Sequence, residues 1–567
     1  MIFTSSSPDI QLPTDLTVWE WALDSKEHSA IYRYPRDQAA GFTNALTRER
    51  LDFWTVKEHA IHLSTALQQK YGLGEGDTVS LFSHNSVWYP VAMFATIRIG
   101  GRVNGASPAY TVDEMAHALL AAQTKVLITV PESIKVAEAA CAKIKAHKID
   151  IVLLEGGLGH RYPTLKDLIE LGCSKGKRCQ TPVWKIPPGK TNKDICGFLT
   201  FSSGTTGLPK AVMLSHQNAI AQCLQLGAFS PPGRKKFLAQ SPLFHISGLV
   251  RFLNWPVFAN DECIMLPKFT MELFLQTIVD FQIEDLNLVP PLVIRLVRDS
   301  IVAKYDLSCV KRLSCSSAPL SQEILQLLMQ KMPWAGFRQS YGMTEACGCL
   351  STHTPAYYSF KYADTSGFLV PNTTIKVADL SDEKKELGAG EIGELWASGP
   401  QIAMGYLNQP EATAETFTSD GFLRTGDVGY IDKDGFVRIV DRIKEMIKVK
   451  GSQVAPAEIE DVLHSHPSVQ DCAVLGIPDA YSGERPKAHI ILKSSIEASA
   501  ALGQELMDYV KERRVRYKWV KEIEFTSDIP KNPSGKILRR VLRERDNGKN
   551  NSTNLIVRDG EMKKSKL

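Results

Sequence analysis

Between about Gly76 and Leu350, short apolar runs alternate along the chain with segments of helical period. The runs are rich in Val, Ile and Leu, and they are Thr78–Phe82, Val126–Val130, Ile149–Leu154, Phe237–Gln240, Cys263–Leu266 and Leu286–Val289. Near-continuous apolar strands that are separated by helices are typical of parallel sheets covered on both faces. The pattern therefore predicts an α/β fold for this part of the chain.

The pattern changes after Gly367. From there to Ile439 the apolar runs are short and are separated by Gly and Asp turns such as Asp432–Gly435, which indicates an antiparallel subdomain. A compact unit follows Asp441, and its predicted elements are helix Pro456–His466, strands near Cys472–Gly476 and Lys487–Leu492, helix Leu502–Arg514, strand Glu522–Phe525 and helix Ile537–Arg545. We expect domains at residues 1–441 and 442–546, followed by a flexible tail at 547–567.

Composition narrows the class of protein only moderately. A hydrophobic content of 44% and a charged content of 23% are ordinary for a globular protein. The net charge of +4 arises from 66 basic and 62 acidic residues, so there is no global attraction for nucleic acid or an anionic membrane. We expect no membrane span and no secretory signal, because neither a long apolar run nor a basic, then apolar N-terminus is present. The 11 cysteines are scattered without a CxxC pair, which indicates reduced thiols and no structural zinc.

The last three residues suggest a cellular location. They are Ser565, Lys566 and Leu567, and together they spell the address that the peroxisomal import receptor reads at a C-terminus. The alternative is a frayed basic terminus, since two further lysines precede them. We expect peroxisomal targeting, because the tripeptide stands in the position that the receptor requires.

The stretch Leu199–His216, LTFSSGTTGLPKAVMLSH, holds the strongest local signal in the chain. Its two apolar runs, Phe198–Phe201 and Ala211–Leu214, are typical of strands and flank a loop of small and hydroxyl residues. Such a loop can direct backbone N–H groups and hydroxyls at one point, with Lys210 at its far end, as phosphate binding requires. The order differs from a standard P-loop, because alanine follows the lysine. A plain polar hairpin is the alternative.

Three further stretches carry candidate chemistry, and each has an ordinary alternative. QSYGMTEACG, which begins at Gln339, offers an aromatic ring for stacking of a purine and the Glu345 carboxylate for Mg²⁺. The alternative is an ordinary helix N-terminus with an acidic first turn. A turn that ends at Asp427 offers a carboxylate that can accept from ribose hydroxyls, with Arg442 nearby. The alternative is an ordinary surface turn. PKNPSGKILRR presents Lys536 in a loop just before a helix, as a candidate catalytic lysine. The alternative is a solvated surface lysine.

The four stretches together, in this order from Phe198 to Arg540, resemble the adenylate-forming superfamily of acyl-CoA synthetases, firefly luciferases and peptide-synthetase adenylation domains. The resemblance is closest to 4-coumarate–CoA ligase-like enzymes, because VDRIKEMIKVKGSQVAPAEIE (Val440–Glu460) and IPKNPSGKILRR match the pattern of that group. It implies a large N-terminal domain of two α/β sheet subdomains and a small antiparallel β subdomain. A small, mobile α+β C-terminal domain is implied to follow.

The resemblance implies a reaction in two steps. A carboxylate attacks the α-phosphate of Mg-ATP to give acyl-AMP and pyrophosphate, and a thiol then attacks the acyl carbon and expels AMP. By the family pattern, the β- and γ-phosphates are held by Ser202, Ser203, Gly204, Thr205, Thr206 and Lys210. The adenine is assigned to Gln339, Ser340 and Tyr341, the α-phosphate and Mg²⁺ to Thr344 and Glu345, and the ribose to Asp427 and Arg442. Lys536 is expected to neutralise charge that develops at the α-phosphate.

The same resemblance places a domain hinge at Lys444. The small domain is expected to turn there after the first step and to withdraw Lys536. That rotation is expected to bring Lys448, Gly451 and Gln453 to the site for the reaction with coenzyme A. Without the resemblance, the lysines of this segment would indicate only a solvated face.

The acyl pocket is assigned on fewer signals. SPLFHISGL (Ser241–Leu249) places His245 where the family has an aromatic residue or a histidine beside the acyl-adenylate, although a satisfied core histidine is the alternative. Peptide-synthetase domains place an aspartate near this point, so an α-amino acid substrate is disfavoured. Further pocket walls are expected from Asn254, Cys315, Ser316, Ser317, Ala318 and Cys347. The run SCSSAPL has fewer glycines than is common in the family, which is expected to shorten or reshape the pocket.

We therefore expect a peroxisomal, ATP-dependent acyl- or aryl-CoA ligase that uses ATP, Mg²⁺ and coenzyme A. Its acid substrate remains open among fatty, phenylpropanoid-like and secondary-metabolite acids. Two alternatives share the adenylation step. One is a luciferase-like oxidative enzyme, and the other is a stand-alone adenylation module that loads a carrier protein.

Overall fold

A computed structural model describes residues 1–156, 161–202, 209–450, 452–479, 481–494, 496–531, 536–547 and 554–559. Four sheets organise these residues, two large and mainly parallel, one antiparallel, and one in the C-terminal unit. The α/β class with a smaller antiparallel subdomain and an α+β C-terminal unit is thus confirmed. No helix within the described ranges is long and apolar enough to cross a membrane.

The first large sheet carries the candidate phosphate loop at one edge. Its strands in spatial order are Gly405–Tyr406, Lys210–Ser215, Cys196–Ser202, Arg102–Ala106, Thr78–Phe82, Thr124–Thr129 and Asp150–Leu153. The two strands that flank the loop are antiparallel, and Ser202 lies opposite Lys210 in the ladder. The two ends of the loop therefore meet, as the sequence predicts for a connection between neighbouring strands.

The second large sheet has a parallel centre and antiparallel edges. Its strands in spatial order are Phe368–Leu369, Gly348–Thr352, Gly336–Met343, Arg312–Cys315, Asp285–Leu288, Lys236–Ala239, Glu262–Met265, Gly41–Asn44 and Arg50–Asp52. Since the carboxyl ends of parallel strands share one edge, the segments after Cys315 and Ala239 lie on the same side of the sheet. Those segments hold most of the residues predicted to wall the acyl pocket.

Helices fill the space beside the two large sheets. Their bounds in the N-terminal part are Phe53–Tyr71, Tyr89–Arg98, Val112–Ala121, Ile134–Lys143, Leu165–Ser174, His216–Ala228, Ile246–Gly248, Trp255–Ala259, Met271–Phe281, Pro290–Arg298, Gln322–Lys331 and Pro410–Thr416, with a π-helical turn at Leu249–Asn254. The largest apolar core joins Phe198 of the first sheet to Phe42 and Met265 of the second. Burial of this shared core fixes the two sheets against each other.

The antiparallel sheet and the C-terminal unit follow. The former contains Ile2–Thr4, Thr374–Ala378, Gly393–Ser398, Leu423–Ile431 and Val437–Arg442. The latter contains strands Ile447–Val449, Ser452–Val454, Val469–Asp479, Gly483–Leu492, Glu522–Phe525 and Ile556–Arg558, and helices Pro456–His464, Ala500–Arg513 and Arg539–Asn547. The C-terminal sheet has an apolar core of its own.

Polar contacts join the C-terminal unit to the rest of the chain. The Asp441 carboxylate accepts a hydrogen bond of 3.0 Å from the Ala457 backbone N–H, at the start of helix Pro456–His464. The Arg298 guanidinium donates to the Gln470 carbonyl at 2.8 Å, and the Gln322 N–H donates to Asp461 at 3.3 Å. Polar contacts of this kind are typical of interfaces between domains that can move relative to one another.

Three local predictions are wrong. Tyr341 and Asp427 were both expected in turns, yet they lie inside strands Gly336–Met343 and Leu423–Ile431. Both strands shift register next to these residues, which explains why their polar, Gly-containing sequences are compatible with a sheet. The third concerns the tail, because Ile556–Arg558 pairs with Glu522–Phe525 although a flexible segment was expected there.

A helix-packing contact provides a stability prediction. A Cβ atom at Gly172 would lie 1.9 Å from the carbonyl oxygen of His62, because helices Leu165–Ser174 and Phe53–Tyr71 touch there. Gly172→Ala is expected to force the helices apart and to lower the free energy of unfolding by about 1–3 kcal/mol. Thermal unfolding measures this. The control is Gly74→Ala, since a Cβ there meets nothing within 4 Å. Equal melting temperatures for the two variants would contradict the contact.

Candidate functional site

The Asp427 carboxylate links three stretches that are distant in the sequence. Its Oδ2 accepts a hydrogen bond of 2.8 Å from the Tyr341 hydroxyl, and its Oδ1 lies 3.0 Å from Arg442 Nε. The antiparallel register places Asp427 directly opposite Arg442, and the Thr425 hydroxyl accepts from the Asp427 N–H at 3.1 Å. The carboxylate is only 4% exposed, so these partners hold it in one orientation.

Burial and charge set the protonation of its two partners. Burial raises the pKa of the Tyr341 hydroxyl well above its ordinary value, and the Asp427 charge raises it further. The pKa of the Arg442 guanidinium is raised chiefly by the charge of Asp427, against the effect of burial. Near neutral pH the phenol is therefore a neutral donor and the guanidinium is charged. A carboxylate between two such donors keeps lone pairs for a further donor, such as a vicinal diol.

Lys536 of the C-terminal unit belongs to the same electrostatic cluster. Its pKa is lowered to about 8, chiefly by burial and in addition by the Arg442 charge, while the charges of Asp427 and Glu445 act in the opposite direction. Glu445 is itself buried and accepts a hydrogen bond of 2.9 Å from Arg543. The structure thus brings together Asp427, Arg442 and Lys536, which the sequence assigned to ribose and α-phosphate.

A second group joins the phosphate-loop lysine to the carboxylate assigned to Mg²⁺. The Tyr406 hydroxyl donates to Glu345 Oε1 at 3.0 Å, and Lys210 Nζ lies 4.8 Å from the centre of the Tyr406 ring. The strand Gly405–Tyr406 pairs with Lys210–Ser215, and the Ala403 N–H donates to the Glu345 carbonyl at 2.9 Å. Glu345 is 7% exposed. The sequence analysis missed Tyr406, because its only local signal is that it follows a glycine.

The residues assigned to adenine are partly engaged in the fold itself. The Gln339 side chain donates to the Ala363 carbonyl and accepts from the Leu320 N–H at 3.3 Å. The Ser340 and Thr352 hydroxyls are 2.8 Å apart. These bonds hold strand Gly336–Met343 in place. A base that contacts the Gln339 side chain would use its remaining amide N–H or its remaining oxygen lone pair.

Several predicted residues lie outside the described part of the chain. They are Ser203, Gly204, Thr205 and Thr206 of the phosphate loop, Gly451, and the terminal Ser565, Lys566 and Leu567. Their assignments stay predictions. Of the loop, the structure places Ser202 and Lys210, both half-buried, at the two ends. Thr344 is also half-buried, in the 3₁₀ turn that carries Glu345.

The residues predicted for the second step lie on one exposed hairpin. Lys448 and Gln453 face each other across the ladder of strands Ile447–Val449 and Ser452–Val454. Lys444 is exposed in the short turn Ile443–Glu445 just before them. Among the described residues no hydrogen bond or ion pair joins these three side chains to Asp427 or its partners. In this arrangement Lys536, and not Lys448, belongs to the cluster.

The predicted acyl-pocket residues surround the helical segment after His245. Burial lowers the pKa of His245 to about 4, so its imidazole is neutral, and Nδ1 lies 3.0 Å from the Ser247 hydroxyl. The Asn254 amide donates to the Leu249 carbonyl at 2.9 Å. Of the remaining walls, Cys315 and Cys347 are buried, Ser316 is half-buried, and Ser317 and Ala318 are exposed.

One cluster in the C-terminal sheet has the composition of a metal site. It contains His489, Glu524 and Asp546, whose ligand atoms lie within 4.8 Å of one another. The Lys487 ammonium lies 2.6 Å from Glu524 and 2.6 Å from Asp546, and its side chain is fully buried. A cation of the protein already occupies the centre of this group, so its residues do not fit a metal ion.

The low pKa of Lys536 provides a prediction for the site. An amine reacts with an acylating reagent only when it is unprotonated, so labelling of Lys536 is expected to rise with a midpoint near pH 8, and not near 10.5. Mass spectrometry of peptides labelled at a series of pH values measures this, with the exposed Lys384 in the same digest as a control. Labelling of Lys536 in parallel with Lys384 would contradict the buried position.

Comparisons with known proteins identify the family of the chain. Residues 27–407 match the family model of the AMP-binding enzyme, and residues 458–536 match that of the AMP-binding enzyme C-terminal domain. The peroxisomal OPC-8:0-CoA ligase 1 of Arabidopsis thaliana is 34% identical over 88% of this chain and 89% of the relative. The probable CoA ligase CCL5 of Humulus lupulus is 32% identical over 95% of each.

Solved structures share the fold over nearly the whole chain. ATP-bound MatB from Rhodopseudomonas palustris has a TM-score of 0.80 and 26% identity, and the alignment covers 93% of this chain and 98% of MatB. The anthranilate CoA ligase AuaEII has a TM-score of 0.83 at 24% identity, with 94% and 98% covered. The chain belongs to the AMP-binding enzyme family, within the adenylate-forming superfamily that includes the 4-coumarate–CoA ligase-like enzymes.

Proposed function

We propose that this protein is an ATP-dependent acyl-CoA ligase that forms an acyl-adenylate and then a CoA thioester. The observation that carries the proposal is the cluster of Asp427, Arg442 and Lys536. It combines a buried carboxylate, a guanidinium and a lysine of lowered pKa at the contact between the large domain and the C-terminal unit. Relatives that match nearly the full length of the chain are named CoA ligases, which supports the thiol acceptor.

In the first step, the acid carboxylate attacks the α-phosphate and pyrophosphate leaves. Asp427 would hold the ribose hydroxyls, and Lys210 with the loop around it would hold the leaving phosphates. Negative charge grows on the α-phosphate and the bridging oxygen, and the Lys536 ammonium would stabilise it there. Since the site is buried, this charge pair would be stronger than in water.

Glu345 is the residue we assign to Mg²⁺. A buried carboxylate oxygen beside the phosphate-loop lysine is a hard ligand of the kind that this ion prefers, and phosphate oxygens would complete its coordination. Bound there, Mg²⁺ would neutralise part of the phosphate charge. The Tyr406 hydroxyl orients the carboxylate through its hydrogen bond, and Lys210 adds a positive charge near the centre of the same ring.

In the second step, the thiol of CoA attacks the acyl carbon and AMP leaves. We propose that the C-terminal unit turns about Lys444 between the steps, so that Lys448, Gly451 and Gln453 replace Lys536. The exposed hairpin and the polar contacts between the units support this rotation. A peroxisomal location is proposed as well, from the terminal Ser-Lys-Leu and from the one relative named peroxisomal.

The two steps predict a selective effect at Lys536. Lys536→Ala is expected to slow adenylation by at least about 100-fold, since one charged stabiliser of the transition state is lost. Thioester formation from preformed acyl-AMP is expected to change less than about threefold, because Lys536 is then withdrawn. The two half-reactions are measured separately, with Lys493→Ala as a control on the same unit. Equal losses in both half-reactions would contradict the domain rotation.

The class of reaction is tested with a panel of carboxylic acids. Pyrophosphate release is followed with and without CoA, and the product is identified by mass spectrometry. An acid-dependent release that yields a CoA thioester is the expected result. Turnover without any thioester would instead favour a carrier-loading module, and light emission with luciferin, ATP and oxygen would favour the oxidative class.

A further inference from the structure

Two arginines that the sequence analysis did not consider lie among the predicted walls of the acyl pocket. Arg251 belongs to the π-helical turn Leu249–Asn254, between His245 and Asn254. Arg338 belongs to strand Gly336–Met343, and its Nε donates to the Ser314 hydroxyl at 2.6 Å, at the start of the pocket run SCSSAPL. The two guanidinium groups therefore approach the pocket from its helical side and its sheet side.

Neither guanidinium is neutralised by the protein. Within the described residues, no carboxylate lies within 4.0 Å of Arg251 or Arg338, and the Arg251 side chain forms no hydrogen bond. Arg338 is 8% exposed, and its protein partners are the neutral hydroxyls of Ser314 and Tyr358. Asp285, whose charge reaches Arg251, is engaged by Arg312 at 2.6 Å.

The two groups also repel each other. The pKa of Arg251 is lowered to about 10, chiefly by burial and in addition by the charge of Arg338. At neutral pH Arg251 still carries its charge. The Trp255 ring centre lies 5.9 Å from Arg251 Cζ, which offers only a weak, partial compensation. A charge that is partly removed from water and has no counter-ion is unfavourable, and no carboxylate of the described residues supplies one, so this arrangement favours an anionic partner from outside.

Three half-buried arginines of the chain show one structural role, in contrast to the buried Arg98, whose side chain donates, among the described residues, only to the Ser64 hydroxyl and packs near the Trp19 ring. Arg312 pairs with Asp285, Arg442 with Asp427, and Arg539 with Glu460. Each of these guanidinium groups has its carboxylate within the fold. Arg251 and Arg338 differ because their five-donor groups leave N–H bonds directed at neither a carboxylate nor a backbone carbonyl of the described residues.

We propose that Arg251 and Arg338 form a binding subsite for a second carboxylate of the acid substrate, so that the enzyme activates a dicarboxylic acid. This inference rests on the proposed function. One carboxylate would react at the α-phosphate, and the other would pair with the two guanidinium groups, which suit a planar anion. A monocarboxylic acid of the same length would leave the two charges without a partner, and this provides the selectivity.

The spacing along the helical segment indicates the size of the substrate. Five residues lie between His245, at the reacting end, and Arg251. They include the α-helical turn Ile246–Gly248 and the start of the π-helical turn that holds Arg251, so the two residues lie roughly 5–9 Å apart along the axis. A chain of several methylene groups or an aromatic ring between the two carboxylates spans such a distance, whereas malonate is too short. The probes are therefore dicarboxylic acids of increasing length.

The test compares matched acids on the full-length protein. Suberic and sebacic acids are paired with octanoic and decanoic acids, and with the monomethyl esters of the diacids, in a pyrophosphate-release assay. The intact protein is expected to have a kcat/KM at least about 10-fold higher for the diacid of each pair, mainly through a lower KM. Arg251→Met is expected to abolish that preference, so that the kcat/KM for the diacid falls to the value for the monocarboxylic acid of the same pair.

The controls distinguish an effect on the proposed carboxylate subsite from an effect on the ligase reaction itself. Arg161→Met removes an exposed guanidinium, 82% accessible, and is expected to keep the preference. Arg251→Gln retains a polar side chain, and melting temperatures of all variants report on folding. Turnover of monocarboxylic acids without any preference for diacids in the intact protein would overturn the subsite but keep the ligase. An equal loss for both acids in Arg251→Met would also overturn it, and no release with any acid would overturn the proposed function itself.

Discussion

The ion pair between Asp427 and Arg442 is the contact on which the rest of the site depends. It forms because two neighbouring strands pair in a register that sets these residues opposite each other. A buried charge of either kind alone would be unfavourable by several kcal/mol, so the pair and the Tyr341 hydroxyl must form together. Arg442 is also the last residue of the antiparallel sheet, and the strands of the C-terminal sheet follow it along the chain. The same guanidinium thus fixes the carboxylate and marks the point from which the small unit extends.

The position of Lys536 depends on how the C-terminal unit packs near this pair. Arg539 pairs with Glu460 and donates to the Val474 carbonyl at 3.0 Å, while Arg543 pairs with Glu445. These contacts attach the helix that follows Lys536 to its own unit. A lysine of lowered pKa next to a guanidinium is poorly stabilised when no substrate is bound. An incoming phosphate would relieve that repulsion, so the same charges that lower the pKa also favour an anionic ligand.

Two electrostatic environments can be distinguished in the large domain. Around Asp427 and Glu345, each buried carboxylate accepts a hydrogen bond from the protein. The remaining lone pairs of these carboxylates suit a nucleotide and its metal ion. Around Arg251 and Arg338, no carboxylate of the described residues lies within 4.0 Å, and this is the basis of the proposed anion subsite. The first environment is shared with the wider family through its motifs. The second is built from positions outside those motifs, where substrates within one fold are distinguished.

The sequence by itself determined the fold class and most of the strands, and it predicted Lys210, Glu345, Asp427, Arg442 and Lys536 as site residues. Apolar periodicity and short motifs are local properties, so they can be read without coordinates. Only the tertiary structure decided that Tyr406 joins Glu345 to Lys210, that Gln339 is engaged by the backbone, and that Arg251 has no carboxylate beside it. These facts depend on which distant segments meet in three dimensions. Whether a side chain has a hydrogen-bond or ion-pair partner from a distant segment cannot be inferred from the residues next to it in the sequence.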